Sequence, residues 1–198
     1  MKSKLEVRRY TQGARAEAAE ATGQRIVDAF LSRLMSQWYD EITLDRVAAD
    51  AGVTVQTVIR RFGGKEGLLT AAVQTFTKQV DARRAAPRDD VDAVVRHLLA
   101  DYEEAGDGVV RMLSLEGRHP ALKEVLDFGR GEHRRWVTEA FAGSLQKVDA
   151  GGRQRAADAL VVATDVYTWK LLRRDMGRSP AATSHIIRQM VNGIIAGL

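Results

Sequence analysis

The sequence predicts an all-α protein. Apolar residues recur at three- and four-residue spacing along almost the whole chain of 198 residues, as the buried face of a helix requires. Only three prolines interrupt the chain, and helix-forming residues such as Leu, Ala, Arg and Glu are plentiful. No segment of useful length shows the two-residue apolar period of a half-buried strand. We therefore expect helices joined by short loops.

The composition excludes several classes of protein. Hydrophobic residues make up 45% of the chain and charged residues 28%, which is typical of a soluble, core-forming protein. No apolar run approaches the length of a membrane span, and the charged start of the chain lacks the apolar stretch of a secretory signal. The absence of cysteine excludes disulfides and thiol chemistry, and we expect a cytoplasmic location.

The basic charge is compatible with nucleic-acid binding and is concentrated in two places. The net charge is +4. Residues 1–15 contain five basic groups and one acid, and residues 51–65 contain Arg60, Arg61 and Lys65 with no acid. A cluster of this size is also found on ordinary solvated surfaces, so the surrounding pattern must decide between the two interpretations.

Four helices are predicted in the first part of the chain. They run from an N-cap at Thr22 to about Tyr39, from Thr43 to Gly52, from Thr54 to Gly63, and from Lys65 to about Val80. A break follows at 85–90.

The second half is predicted to contain helices separated by glycine-rich turns at 106–108 and 151–152, with separate short helices near 122–128 and 136–141. Two long helices, at about 153–175 and 180–197, close the chain. The last of them opens at Ser179-Pro180, a cap followed by proline in the first turn.

The segment from Thr43 to Phe62 has the residue types that a helix-turn-helix requires. A small residue, Ala48, stands where the two helices would cross, and Gly52 stands where the turn needs a positive φ. Val58 and Phe62 can anchor the second helix inward. The outer face of that helix is polar, as entry into the major groove requires, and carries Gln56, Thr57, Arg60 and Arg61.

Residues 22–69 resemble the DNA-binding region of TetR/AcrR-type regulators. The resemblance is carried by Thr22–Phe30, Tyr39-Asp40, Thr43, Val47-Ala48, Ala51–Thr54, Thr57, Phe62 and Lys65–Leu69. It implies a three-helix DNA-binding domain followed by a helical ligand-binding and dimerisation domain. The expected boundaries are a basic arm at 1–21, the helix-turn-helix domain at 22–66, and the effector and dimerisation domain at 67–198.

The sequence departs from the family pattern at three positions. Trp38 replaces a usual glycine, Ile59 replaces a tyrosine that typically touches the DNA backbone, and Arg61 stands where His or Tyr is common. Loss of the tyrosine removes one expected phosphate contact, and the charge of Arg61 could restore it. Ile59 lies one turn after Val55, so it either faces a thymine methyl in the groove or packs sideways on the fourth helix.

The expected DNA contacts fall into two groups. Thr54, Thr57, Arg61 and Lys65 are phosphate candidates. Val55, Gln56, Ile59 and Arg60 are base-edge candidates, because Gln suits adenine, Arg suits guanine, and Val or Ile suits the thymine methyl. Thr54 can also serve simply as a helix cap, Arg60 as a solvated charge, and the N-terminal segment as either a minor-groove arm or an inert tail.

The resemblance also implies an effector pocket and a dimer interface. The large side chains of the expected pocket are Tyr102, Met112, Phe128, Trp136 and Phe141, although side chains of this kind more often belong simply to the core. They indicate an apolar or aromatic small molecule. The expected interface residues, on the last two helices, are Tyr167, Leu171, Ile187, Val191 and Ile194.

The predicted function is that of a repressor which binds a palindromic operator as a homodimer and is released by a small-molecule effector. No cofactor, metal site or membrane partner is expected: the histidines form no ligand pair, and Gly63-Gly64-Lys65 lacks phosphate-loop spacing. An enzyme and an architectural DNA-binding protein remain the alternatives, although no enzyme motif is found.

Overall fold

The computed structural model describes residues 4–198, with side chains from Ala16 onward. Every regular element in that range is helical, so the all-α prediction is confirmed. The chain divides into two compact units, the first ending at Thr75 and the second running from Phe76 to Leu198. Within the described range, no helix has the length and apolarity to cross a membrane.

The first unit contains three helices and the start of a fourth. They are α1 (Lys4–Ser36), α2 (Leu44–Ala51), α3 (Val55–Phe62) and α4 (Lys65–Arg83), with a single 3-10 turn at Tyr39–Glu41. Helix α2 packs against both α1 and α3. The apolar stripes predicted from the sequence form this core, whose fully or almost fully buried side chains include Ile26, Phe30, Leu34, Val47, Val58, Leu68 and Leu69.

Helix α1 is longer than predicted. Thr22 does not cap it but lies inside it, where its hydroxyl donates a hydrogen bond to the Ala18 carbonyl at 2.8 Å. The residues before Thr22 are rich in Ala and Glu, which are strong helix formers, so nothing in them ends the helix. The predicted cap failed because a threonine within a helix can bond to the preceding turn just as readily.

The second unit contains the remaining helices: α5 (Val91–Leu115), α6 (Pro120–Ala140), α7 (Ala142–Leu145), α8 (Ala150–Thr164), α9 (Val166–Lys170) and α10 (Pro180–Ala196). Helix α5 packs against α6, α9 and α10, and α8 packs against α6 and α10. Leu98, Phe141, Leu160, Trp169 and Ile187 lie in its core. The predicted break at 85–90 is confirmed as the connection between α4 and α5, but it does not separate the two halves of the chain, because the boundary between the compact units lies earlier, within α4.

Three predicted interruptions of this unit fall within helices. Helix α5 continues through Gly106-Asp107-Gly108, and α6 is one helix instead of two. A Cβ on Gly106 would lie 2.6 Å from the Trp169 ring. This glycine therefore allows close packing of two helices and does not mark a turn. The glycines at 151 and 152 likewise fall in the first turn of α8, where the Asp149 side chain accepts a hydrogen bond from the Gly152 amide.

The predicted helix at 153–175 is broken after Thr164. Asp165 begins α9 by accepting a hydrogen bond from the Tyr167 amide, and a π-helical segment follows at Leu171–Asp175. At the break, the Tyr102 hydroxyl donates to the Thr164 carbonyl at 2.9 Å. The side chain from α5 thus satisfies a carbonyl at the end of α8.

A buried polar chain lies beside this break. Arg84 pairs with Asp101 at 2.6 Å, and its Nη1 lies 3.2 Å from His133 Nδ1. Because a guanidinium only donates, His133 Nδ1 accepts, and the imidazole proton resides on Nε2, 3.3 Å from the Thr164 hydroxyl. The chain therefore links α5, α6 and α8 through a neutral imidazole.

His133 makes the stability of the protein dependent on pH. Burial, together with the charge of Arg84, lowers the pKa of His133 to about 3. An unfolded histidine titrates near pH 6.5, so below about that pH the unfolded chain binds a proton that the folded chain excludes. We expect the free energy of unfolding to fall from about pH 6.5 to about pH 4, His133 contributing about 1.4 kcal/mol per pH unit.

The measurement is urea unfolding across that pH range, for the natural chain and for His133→Gln. Between about pH 6.5 and about pH 4, unfolding of the variant should take up one proton fewer than unfolding of the natural chain, so its stability should fall less steeply. This difference in slope does not depend on how much the substitution destabilises the protein at pH 8. Identical pH dependence in the two proteins would contradict a neutral, partly buried His133.

Candidate nucleic-acid interface

The turn between α2 and α3 depends on a glycine. Gly52 has φ of 66° and ends α2 in the left-handed conformation. A Cβ at this position would meet no atom within 4 Å, so the backbone conformation alone accounts for the preference for glycine. The predicted positive-φ residue is confirmed, and it directs the chain into α3.

Helix α3 is short and has two different faces. Val58 is fully buried, whereas Gln56 and Arg60 are exposed. Its first turn is capped by Thr54, whose hydroxyl oxygen accepts a hydrogen bond from the Thr57 amide at 3.3 Å. The two hydroxyls of Thr54 and Thr57 lie 3.0 Å apart at the start of the helix. This arrangement places two hydroxyl groups and free backbone amides together, which is a geometry suited to phosphate.

Ile59 is exposed despite being apolar. Its side chain retains 41% of its accessible surface. Val55, one turn earlier, is partly buried. An exposed isoleucine beside Gln56 and Arg60 adds an apolar group to the outer face of α3.

The two arginines of α3 differ in their surroundings. Arg60 is exposed, and no ion pair joins it to any side chain from Ala16 onward. Arg61 instead reaches α1, where Nη1 donates to the Ala19 carbonyl at 2.7 Å and Nη2 pairs with Glu20 at 2.9 Å. The sequence predicts that both arginines face DNA, but in the structure only Arg60 is free of hydrogen bonds and ion pairs to the described part of α1, from Ala16 onward.

Lys65 is held by the 3-10 turn of the same unit. Its ammonium donates to the Tyr39 carbonyl and lies 4.1 Å from the centroid of the Tyr39 ring. Burial lowers the pKa of Lys65, and the nearby Asp40 carboxylate partly opposes that effect. An ammonium has three N–H donors, so these contacts leave donors for a further acceptor.

The partners of Arg61 and Lys65 were not found by reasoning from the sequence. Glu20 and Ala19 are 41 and 42 residues away from Arg61, and Tyr39 is 26 residues from Lys65. The sequence contained one indication of the Arg61 contact. Gly23, a poor helix former, stands among good helix formers, which is typical of a position where another group approaches the helix closely.

The large side chains predicted for an effector pocket are only partly brought together. Tyr102, Trp136 and Phe141 belong to one apolar cluster, in which Trp136 Nε1 donates to the Arg84 carbonyl at 3.3 Å. Met112 is also buried, but Phe128 is 49% exposed on α6. Arg84 lies 4.9 Å from the Tyr102 ring centroid, so this cluster contains a paired cation as well as aromatic surface.

Some residues predicted for a dimer interface are exposed, and others are buried within the chain itself. Ile187 and Val191 are fully buried in the core of their own chain, and Ile194 is partly buried. Tyr167 and Leu171 are exposed. Val162 and Met190, which were not singled out from the sequence, are also exposed.

Comparisons with known proteins agree with this architecture. The family model described as "Bacterial regulatory proteins, tetR family" matches residues 33–72, which include α2 and α3. The uncharacterized HTH-type transcriptional regulator Rv1556 of Mycobacterium tuberculosis is 28% identical over 173 residues, covering 83% of this chain and 81% of its own. The HTH-type transcriptional regulator SrpR of Pseudomonas putida is 45% identical over 62 residues, which are 30% of this chain and 29% of its own.

Solved structures share the fold. A TetR-family transcriptional regulator from Streptomyces coelicolor has a TM-score of 0.70 at 19% identity, covering 88% of this chain and 79% of its own. Salmonella enterica GusR has a TM-score of 0.70 at 17% identity, covering 88% and 95%. The family model, the regulator relatives and the helix-turn-helix agree, and together they support a DNA-binding transcriptional regulator of the TetR family.

Proposed function

We propose that the protein is a repressor that binds a palindromic operator as a homodimer and releases it when a small molecule binds. The observation that carries this proposal is the geometry of α3. Val58 anchors the helix inward, and Gln56, Ile59 and Arg60 are left exposed on the outside. A short helix with this polarity, preceded by a tight glycine turn, is suited to the major groove.

The outer face of α3 offers contacts to both bases and phosphates. Gln56 can pair with adenine and Arg60 with guanine, while Val55 and Ile59 can contact thymine methyl groups. Thr54, Thr57 and Lys65 are the phosphate ligands in this proposal, because their hydroxyls and ammonium are grouped around the ends of α3.

The first experiment tests operator binding. DNA from the promoter beside the protein's own gene should be shifted at a defined site, and the affinity should fall steeply from about 50 to 200 mM salt, with a slope of about −0.9 per neutralised phosphate. Arg60→Ala should weaken specific binding about tenfold or more by removing a guanine contact, and should leave non-specific binding little changed.

Arg118→Ala removes an equal charge from an exposed position in the second unit and should bind like the natural chain. Equal binding to any DNA would indicate an architectural protein, and no binding to DNA would leave an enzymatic or other role. Either result would contradict the proposal.

The proposed dimer uses the exposed apolar residues of α8, α9 and the π-helical segment. Val162 is 63% exposed, Tyr167 54% and Leu171 51%, so three large apolar side chains within ten residues of sequence are uncovered in a single copy of the chain. With α10, whose Met190 is also exposed, these helices can form a two-fold bundle with a second copy. Such a dimer presents two copies of α3 to half-sites about 34–36 Å apart or a multiple of that distance.

Leu171→Asp should therefore give monomers that lose operator binding, because a buried unpaired charge strongly opposes association. Sedimentation at micromolar concentration measures the assembly. Phe128→Asp is the matched control, since Phe128 has similar exposure on α6 and should remain dimeric. A natural chain that sediments as a monomer would contradict the model.

The proposed effector is a largely apolar, aromatic or lipid-like small molecule. Tyr102, Trp136 and Phe141 share a cluster in the second unit, and Arg84, the cation that lies over the Tyr102 and Trp136 rings, is already paired with Asp101. The effector need only favour the DNA-incompetent state by about 1.4 kcal/mol to lower operator affinity tenfold, and by linkage the operator must weaken effector binding equally.

The effector is sought by thermal stabilisation with a panel of apolar and aromatic compounds, followed by measurement of operator release. Trp136→Ala should abolish release without changing DNA binding, whereas Phe128→Ala, at an exposed side chain, should respond normally. Compounds that stabilise the protein and leave operator affinity unchanged would show that the pocket is not coupled to DNA.

A further inference from the structure

A glycine in the middle of α1 has no role in a turn. Gly23 lies within the continuous helix Lys4–Ser36, where glycine is a poor helix former compared with alanine. A Cβ at this position would lie 2.2 Å from Arg61 Nη2 and 2.3 Å from Cζ and Nε. The guanidinium of Arg61 therefore lies against the backbone of α1 in a space that any side chain at position 23 would fill.

Hydrogen bonds hold Arg61 in that space. Nη1 donates to the Ala19 carbonyl at 2.7 Å, and Nη2 donates to Glu20 Oε2 at 2.9 Å. Most of the Arg61 side chain is covered, although Glu20 itself is largely exposed. The bond to a backbone carbonyl and the packing on Gly23 do not depend on the Glu20 charge, so the contact does not rest on a surface ion pair alone.

The contact matters because α3 has few other attachments. It contains only eight residues, and Val58 is its one fully buried side chain. Val55 and Phe62 are only partly buried, so the apolar contacts of α3 constrain its rotation and tilt weakly. Arg61 adds a second attachment in the last turn, and a rotation of α3 would break its bonds to α1.

We propose that Gly23, the Ala19 carbonyl, Glu20 and Arg61 form a clamp that sets the orientation of α3, with Arg61 as a positioning residue and not a phosphate ligand. The inference rests on the proposed function in that α3 contacts operator DNA. It assigns Arg61 a different role from its neighbour Arg60. It also accounts for the pairing of an arginine at position 61 with a glycine at position 23.

The test combines DNA binding with hydrogen exchange of the full-length protein. Gly23→Ala, which expels the guanidinium, and Arg61→Ala should each weaken specific operator binding about tenfold, as expected for one misaligned base contact. Neither should change the slope of affinity against salt. The double variant should be no weaker than Arg61→Ala alone, because both substitutions break the same contact.

Two controls separate the clamp from general effects of substitution. Glu20→Gln keeps an acceptor for Arg61 and should bind DNA almost as the natural chain does. Gly131→Ala places alanine at a helical glycine of α6 where a Cβ would meet nothing within 4 Å, and it should leave binding unchanged. Circular dichroism establishes that each variant is folded.

Hydrogen exchange gives a readout that needs no DNA. The amides of α3 should exchange faster in Gly23→Ala and in Arg61→Ala, by similar factors, and at the natural rate in Gly131→Ala. Unchanged α3 exchange would overturn the clamp. Failure of the natural chain to bind any operator, with faster α3 exchange in both variants, would reject the proposed function and retain the clamp.

A phosphate role for Arg61 predicts a different pattern. Arg61→Ala would then reduce the salt slope by about 0.9 per subunit. Gly23→Ala would then bind the operator as well as the natural chain or better, since it frees the guanidinium. The double variant would bind as weakly as Arg61→Ala, whereas Gly23→Ala alone would show no loss of affinity. That pattern would also overturn the proposal.

Discussion

The burial of Val58 is the constraint on which the DNA-binding unit depends. An isolated helix of eight residues is unstable in water, so α3 exists because its inner face packs into the core formed by α1, α2 and α4. Helical periodicity then determines which residues lie outside. With Val58 inward, Gln56 and Arg60 must face away from the core. The burial of Val58 therefore determines which residues form the outer face, and the proposed Arg61 contact sets the orientation of that face more closely.

The second unit contains a chain of polar contacts beside its apolar core. Asp101, Arg84, His133 and Thr164 form a continuous chain of contacts across α5, α6 and the end of α8. A buried polar chain is tolerated only when its members satisfy one another, which makes its geometry specific. This chain lies beside the break between α8 and α9 and beside the aromatic cluster proposed to bind an effector. A ligand in that cluster would therefore be close to the irregular part of the proposed dimer surface.

Local signals in the sequence predicted the helix-turn-helix well. The caps at Thr43 and Thr54 and the left-handed Gly52 are all found where the local chemistry required them. Long-range contacts were not predictable in the same way. Gly106 suggested a turn and instead accommodates Trp169, and the partner of Arg61 lies on a helix whose start was misjudged. The same residue type, glycine, marks a backbone conformation at one site and a close approach at another, and only the structure distinguishes them.

The central claim is that the outer face of α3 enters the major groove and that Arg60 contacts guanine there. Methylation interference on the operator measures this directly, because methylation of guanine N7 blocks the major-groove edge and methylation of adenine N3 blocks the minor groove. The account predicts interference at guanine N7 at symmetric positions of the two half-sites, and its loss in Arg60→Ala. Interference at adenine N3 alone, with none at guanine N7 of a guanine-containing operator, would contradict it.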